Sequence, residues 1–211
     1  MKKFLKFTLT ILIVSLLATA FYYLPYKQIQ NSIPIVNKKL NKTALSITSK
    51  NSVATVNIDG RDYGSTPLSI PGLSRGRHNI TITKISNNTD FYKPFETVVT
   101  LEKGTEAEIN VEIGPKGTVA GVVLYYVKAP TQNESYLSLI SQVKDVTLLI
   151  NNTPKAFSDD TGLLHLQAGE YNVTIAKDGY ENLSFPIVIR KGLNLYLHVY
   201  LFPKPISIKK I

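Results

Sequence analysis

The sequence predicts an all-β protein: two small β-sandwiches in tandem behind one N-terminal transmembrane helix. Three observations lead there. From residue 44 onward apolar side chains recur at every second position, the period of half-buried strands and not of helices. The alternating runs are short and are separated by Gly, Pro, Asp and Asn clusters that reverse a chain. Finally, the stretch GRHNITITK at 76–84 returns as GEYNVTIAK at 169–177, with Gly, Asn, Thr, Ile and Lys in register, so one strand plan is expected twice.

The N-terminus is the exception to that period. Lys2, Lys3 and Lys6 precede a charge-free apolar run over 7–24, which Pro25 ends. At about 1.5 Å per residue such a run matches a hydrocarbon core of about 30 Å. Tyr22, Tyr23 and Tyr26 cluster at its far end with Lys27, as an interfacial aromatic belt would. Residues 1–6 then read as a cytoplasmic leader, 7–24 as a signal anchor and 25–43 as a basic stalk. The alternative is a cleaved signal peptide, for which Ala18, Thr19 and Ala20 supply a cleavage site. Either way the remainder is expected outside the cytoplasm, as the ectodomain of a single-pass cell-membrane protein.

In the first unit, expected over 44–114, strands are read at 44–49, 54–60, 76–84, 95–101 and 105–113. In the last of these Ala107, Ile109, Val111 and Ile113 face inward, with Glu106, Glu108, Asn110 and Glu112 outward. The second unit, expected over 117–203, opens with VAGVVLYYV, apolar on both faces as a central strand would be. DVTLLINN follows, then the second copy of the repeated strand, then PIVIRKGLNLYLHVYL as two strands joined at Lys191-Gly192. Between the units, 128–144 is the least regular stretch, and a short helix is expected there from Glu134. Residues 204–211 form a basic tail.

The segment VNIDGRDYGSTPLSIPGLSRGRHNITITK resembles the PEGA domain family. The resemblance rests on the Asp59-Gly60 turn, then Gly64, Thr66, Pro67 and Leu68, then Gly72-Leu73, and finally Gly76 and His78. It covers about residues 45–113. The family's E-G-A triplet is absent, since Phe95-Glu96 follows Pro94, and the loop over 85–93 is long. In the second unit Asp160, Gly162, Gly169, Tyr171, Gly179 and Tyr180 make a pattern similar to carboxypeptidase regulatory-like domains. That likeness implies transthyretin-like (prealbumin-like) sandwiches. The PEGA likeness implies non-catalytic modules of surface and envelope proteins that contact wall, glycan or protein.

Composition narrows the chemistry. The chain of 211 residues has no cysteine, hence no disulfide, thiolate nucleophile or cysteine metal site. Its net charge of +9 sits in the leader, stalk and tail, while 51–202 carries 13 basic against 15 acidic residues. Nucleic-acid binders place their charge on the folded face, so no nucleic-acid partner is expected. His78, His165 and His198 are the only histidines. His78 shares a face with Ile80 and Ile82, which suits packing and capping; His165 lies on the face opposite Leu164 and Leu166. No serine stands in a nucleophile-elbow setting. Asp159-Asp160, Asp59 and Asp62 read as turn chemistry, with no calcium-loop pattern.

No catalytic residue, cofactor or metal site is therefore expected. The remaining candidate is a surface. In LNLYLHVYL, Leu195, Leu197, Val199 and Leu201 make one face and Tyr196, His198 and Tyr200 the other, an aromatic stripe suited to sugar rings or to another protein. The expected function is that of a non-catalytic envelope protein that binds or scaffolds wall polysaccharide or an envelope protein. The alternatives are a sensory ectodomain subunit of a membrane complex, or a secreted accessory domain released at Ala20.

Overall fold

The computed structural model describes residues 43–88, 91–156 and 162–205. The span expected at 7–24, the Ala20 site, stalk residues 25–42, the Asp159-Asp160 turn and tail residues 206–211 lie outside them. Among the described residues no helix is long and apolar enough to cross a membrane.

The fold is all-β. In the first half the strands are β1 (Ala44–Thr48), β2 (Ala54–Ile58), β3 (Arg61–Ser65), β4 (Leu68–Pro71), β5 (Gly76–Lys84), β6 (Phe95–Leu101) and β7 (Glu106–Ile113). Then come β8 (Val119–Lys128), β9 (Tyr136–Ser141), β10 (Thr147–Ile150), β11 (Thr153–Lys155), β12 (Leu163–His165), β13 (Gly169–Ala176), β14 (Leu183–Ile189) and β15 (Leu193–Tyr200). The helix expected from Glu134 is instead β9. Leu137 and Leu139 turn toward the core while Ser138 and Ile140 turn away, a period of two.

The strands make one seven-stranded sheet, β12-β9-β15-β8-β7-β1-β4, and two four-stranded sheets, β3-β2-β5-β6 and β11-β10-β13-β14. The units expected as sandwiches in tandem are joined through one sheet. Strand β8 pairs antiparallel with β7 on one side and with β15 on the other, so both units share a single sheet. The first unit supplies three strands to it and the second four, β8 among them, and each builds its own four-stranded sheet. β1 beside β7 and β9 beside β15 are both parallel pairs, and β4 and β12 close the two ends antiparallel.

The cores explain why β8 is apolar on both faces. Val119 and Val123 belong to a core with Leu45, Ile47, Ile80, Val99 and Ile109. Val122, Leu124 and Tyr126, which alternate with them, belong to the other core, with Leu148, Val173, Ile187, Leu195 and Leu197. The two four-stranded sheets therefore lie on opposite faces of the shared sheet. Each covers its own end and leaves the opposite face of that end bare. Those bare faces carry Glu106, Glu108 and Asn110 in the first unit, and Tyr196 and His198 in the second.

Close contact at the seam needs a glycine. Gly121 has φ of 133°, and a Cβ there would lie 2.0 Å from the Asn110 carbonyl oxygen. No L side chain fits between strands that close.

Candidate functional site

The family-motif residues hold turns. Asp59 (φ 52°) and Gly60 (φ 82°) form the two-residue turn between β2 and β3, flanked by the Ile58–Arg61 pair. Positive φ at both positions is what a right-twisted hairpin demands. The Asp59 carboxylate does more than turn. Its Oδ1 accepts the Asn79 amide at 2.8 Å, and its Oδ2 lies 2.6 Å from Nδ1 of His78. The Asn79 amide and the His78 bond together hold the Asp59 carboxyl below its usual value. The other ring nitrogen of His78, Nε2, lies 2.8 Å from the Ser74 carbonyl oxygen. The buried imidazole thus ties the hairpin to the loop before β5.

Ser74, His78 and Asp59 thus meet at this turn. Nε2 faces the Ser74 carbonyl, and the Ser74 hydroxyl stands 3.5 Å away. A catalytic base would instead hold that hydroxyl as its close partner.

The remaining motif residues pin neighbouring segments. The Thr66 hydroxyl accepts the Ala54 amide at 3.0 Å, and the Gly64 amide donates to Asp62 at 2.8 Å. Pro67 leads into β4. The Gly72 amide donates to the Thr43 carbonyl at 2.7 Å, and the Thr43 hydroxyl donates to the Leu73 carbonyl. Gly76 has φ of 126°, as its place at the strand entrance suggests, whereas its counterpart Gly169 does not adopt positive φ. Gly179 (φ 81°) and Tyr180 make a turn on which the last strand closes: Tyr180 bridges Pro203, and the Lys204 amide donates to the Gly179 carbonyl. Gly162 (φ 63°) stands at a turn before β12. Its partner in the pattern, Asp160, is outside the described residues.

The second unit repeats these devices with different side chains. Asn151 (φ 49°) and Asn152 (φ 63°) make the β10–β11 turn, and Asn151 Oδ1 accepts the Asn172 amide at 2.8 Å, as Asp59 accepts that of Asn79. Tyr171 replaces His78, and its hydroxyl donates to the carbonyl of Gln167, four residues back, at 3.0 Å. The strand expected to run through Asn152 therefore stops at Ile150, where the tight turn begins.

The stripe read from β15 is present. Leu195, Leu197 and Val199 are buried in the second core, and Tyr196, His198 and Tyr200 share the other face, half-buried. Register then adds residues that one strand alone could not reveal. Tyr196 stands beside Tyr125 of β8 and Ser138 of β9, and His198 beside Val123 and Ile140. The Tyr125 and Tyr196 rings are parallel within 4° at 5.4 Å, an offset stack. His198 Nε2 lies 3.4 Å from the Tyr125 hydroxyl, and burial holds the imidazole below its usual value. Ile140 is 47% exposed, and Tyr136 meets His165 edge to face at 5.4 Å.

Tyr125 packs partly against the first core, as does Tyr200. The Tyr200 ring packs edge-on against Phe95 of β6 at 5.1 Å, so it is a joint between the two units rather than open surface. At the other end of the row Asn194 is buried, and its Oδ1 has no partner among the described residues. The bare face is thus a ledge of tyrosine, histidine and isoleucine, with Arg77 near Tyr125 and Glu134 near Tyr136, bounded on one side by β6. Among the described residues no group of His, Cys, Asp or Glu could hold a metal ion.

No curated protein matches the chain. Residues 42–116 match the family model of the PEGA domain, which takes in all seven strands of the first unit and stops just short of β8. The first unit of this chain is a PEGA domain.

Proposed function

We propose that this is a non-catalytic, membrane-anchored cell-envelope protein whose extracytoplasmic β modules bind or scaffold a wall glycan or an envelope protein. The observation that carries the binding role is the ledge: Tyr136, Ile140, Tyr196 and His198 lie on a sheet face that no second layer covers, with Tyr125 at its margin against the first core. Aromatic rings left on such a face serve contact with another molecule better than they serve solubility. The charge-free run over 7–24 between lysines supports the anchor. A transthyretin-like assignment of the second unit is part of the same proposal, supported by its repetition of the first unit's turns.

Two measurements test this. Full-length protein should stay with membranes through a carbonate wash; a soluble product beginning after Ala20 would replace the anchor with a secreted form. A Tyr125→Ala/Tyr196→Ala double variant should lose most of its retention on isolated wall material or envelope extract while keeping its β-sheet circular dichroism. Unchanged retention would remove the ledge from the proposal. Tyr200 is left intact because its loss would loosen the packing on Phe95.

A further inference from the structure

The ledge and strand β6 meet at a corner, and the corner has a chemistry of its own. Antiparallel neighbours alternate, each residue aiming its N–H and C=O together to one side. Asn79 of β5 aims both toward the β2 side, since its amide donates to Asp59 and its carbonyl accepts the Asp59 amide at 2.9 Å. His78, Ile80 and Ile82 therefore face β6, where their partners are Val99, Thr97 and Phe95. It follows that Glu96, Val98 and Thr100 aim their backbone groups away from β5, along the free edge. Among the described residues no backbone group outside β5 pairs with them.

The equivalent corner of the second unit is closed. By the same parity, Asn172 faces β10, so Ser184, Pro186 and Val188 line the free edge of β14. Val98 pairs with Asn79 as Pro186 pairs with Asn172, so the two occupy the same place in the repeat. Proline has no N–H to donate. The Val188 carbonyl already accepts the Tyr126 hydroxyl at 2.7 Å, and the floor beside that edge carries Glu106 and Glu108. These are the usual means of blocking an edge strand. Of the four free edges of the two flanking sheets, β3 carries Arg61, Asp62 and a bulge, and β11 and β14 carry prolines. Strand β6, seven residues long, has no proline or bulge and a single charge, Glu96.

We infer that the free edge of β6 receives one further strand from an extended polypeptide segment, which lies over β15 with its alternate side chains on the Tyr125, Tyr196, His198 and Ile140 ledge. Such a strand would extend the first four-stranded sheet over the bare end of the shared sheet, giving that face the second layer it lacks. The edge supplies three donors and three acceptors at strand spacing, a pattern matched by backbone and not by a sugar. The shared sheet runs on beneath this position as β15, β9 and β12. A folded edge with its own sheet below, including a second copy of this chain paired through β6, would collide with those strands; a lone strand would not. The segment should therefore be locally unfolded before it binds and apolar at every second residue.

The inference rests on the reading of this protein as a binding module, and its test separates the two. The chain has no cysteine, so a Glu96→Cys variant of the full-length protein in detergent takes a single tether. The probe is a cysteine-ended peptide of about seven residues, a typical strand length, alternating valine and threonine. Hydrogen exchange of β6, read by mass spectrometry, should slow by about tenfold or more when the peptide is tethered. It should not slow with the same peptide N-methylated at alternate amides, nor when Val98→Pro is added. No slowing with the plain peptide, or equal slowing with the N-methylated one, would overturn strand addition. If the Tyr125→Ala/Tyr196→Ala variant still loses envelope retention in that case, the binding module stands and only the strand partner falls.

Discussion

Replacing Gly121 with alanine tests whether the two units depend on one shared strand. The added Cβ would sit 2.0 Å from the Asn110 carbonyl oxygen, 2.8 Å from Val111 Cα and 2.9 Å from the Asn110 carbonyl carbon. All three are backbone atoms of β7, so relief requires β7 and β8 to part. Holding φ near 133° with a side chain adds about 1–3 kcal/mol of strain. Overpacking between well-fitted elements adds about 1–3 kcal/mol. The sum, about 2–6 kcal/mol, is a large share of the 5–15 kcal/mol that holds a typical domain. Two controls separate the causes. Gly60→Ala carries the φ strain alone, at 82° with nothing within 4 Å, and should cost about 1 kcal/mol. Gly114→Ala meets the Thr118 hydroxyl and the Phe202 ring, side chains that can move, and should cost less than Gly121→Ala. Urea denaturation followed by circular dichroism measures all three. The full-length Gly121→Ala variant should also lose the coincidence of unfolding in the two units, read from hydrogen exchange of β5 and β13. A loss under about 1 kcal/mol at Gly121, or equal losses at Gly121 and Gly60, would refute the argument that seam sterics govern this position.

Further outcomes follow from the turns and cores. Asp59→Ala removes the acceptors of the Asn79 amide and of the buried His78 ring, and should lower stability by about 1–3 kcal/mol; Asn151→Ala, which strands no buried ring, should cost about 1 kcal/mol, and equal losses would deny His78 its role as a tie. Two groups should each weaken the fold on acidification, with the same sign. His198 titrates lower in the folded chain than its usual 6.5, so the unfolded chain binds the extra proton first and stability declines as pH falls below about 6.5; His198→Gln should abolish this decline in urea midpoints. Asp59 titrates below its usual 3.8, so its contribution is intact above that value and is lost as pH falls through the folded value. Leu197→Ala, wholly buried in the second core, should cost about 2–5 kcal/mol, against under about 1 kcal/mol for its half-buried neighbour Tyr196→Ala.

Most of the strands were legible because each is buried on one face, which imprints a period of two. The faces of β5, β7 and β15 fall as alternation requires, and the doubled GRHNITITK motif does mark a doubled plan. What one dimension hid was pairing. VAGVVLYYV announced a strand buried on both sides, but not that its two sides serve different cores. Three-residue strands such as β11 and β12 are too short to carry a period, and β3 and β4 lie within a run of turn residues. The helix expected from Glu134 rested on Leu137 and Ile140 at a spacing of three, yet Leu137 with Leu139 at a spacing of two is what the core selects. The site was half visible: Tyr196 and His198 could be read on β15, whereas Tyr125 and Ile140 join them only through register across three strands. That Tyr200 is a joint rather than open surface depends on Phe95, more than a hundred residues away in sequence.

The shared strand also sets where this molecule can be cut. The family boundary at residue 116 precedes β8, so a fragment ending there keeps all seven strands of its repeat and still strips one edge of β7 of its partner. Six backbone pairs from Glu108 to Ile113 would open to water, and Val119 and Val123 would leave the interior. The matched span is thus one strand shorter than the set of elements that closes the first core. Carrying the cut past Lys128 restores the missing neighbour, but then bares Val122, Leu124 and Tyr126 on its far side. Either cut therefore bares part of a core that the intact chain keeps dry.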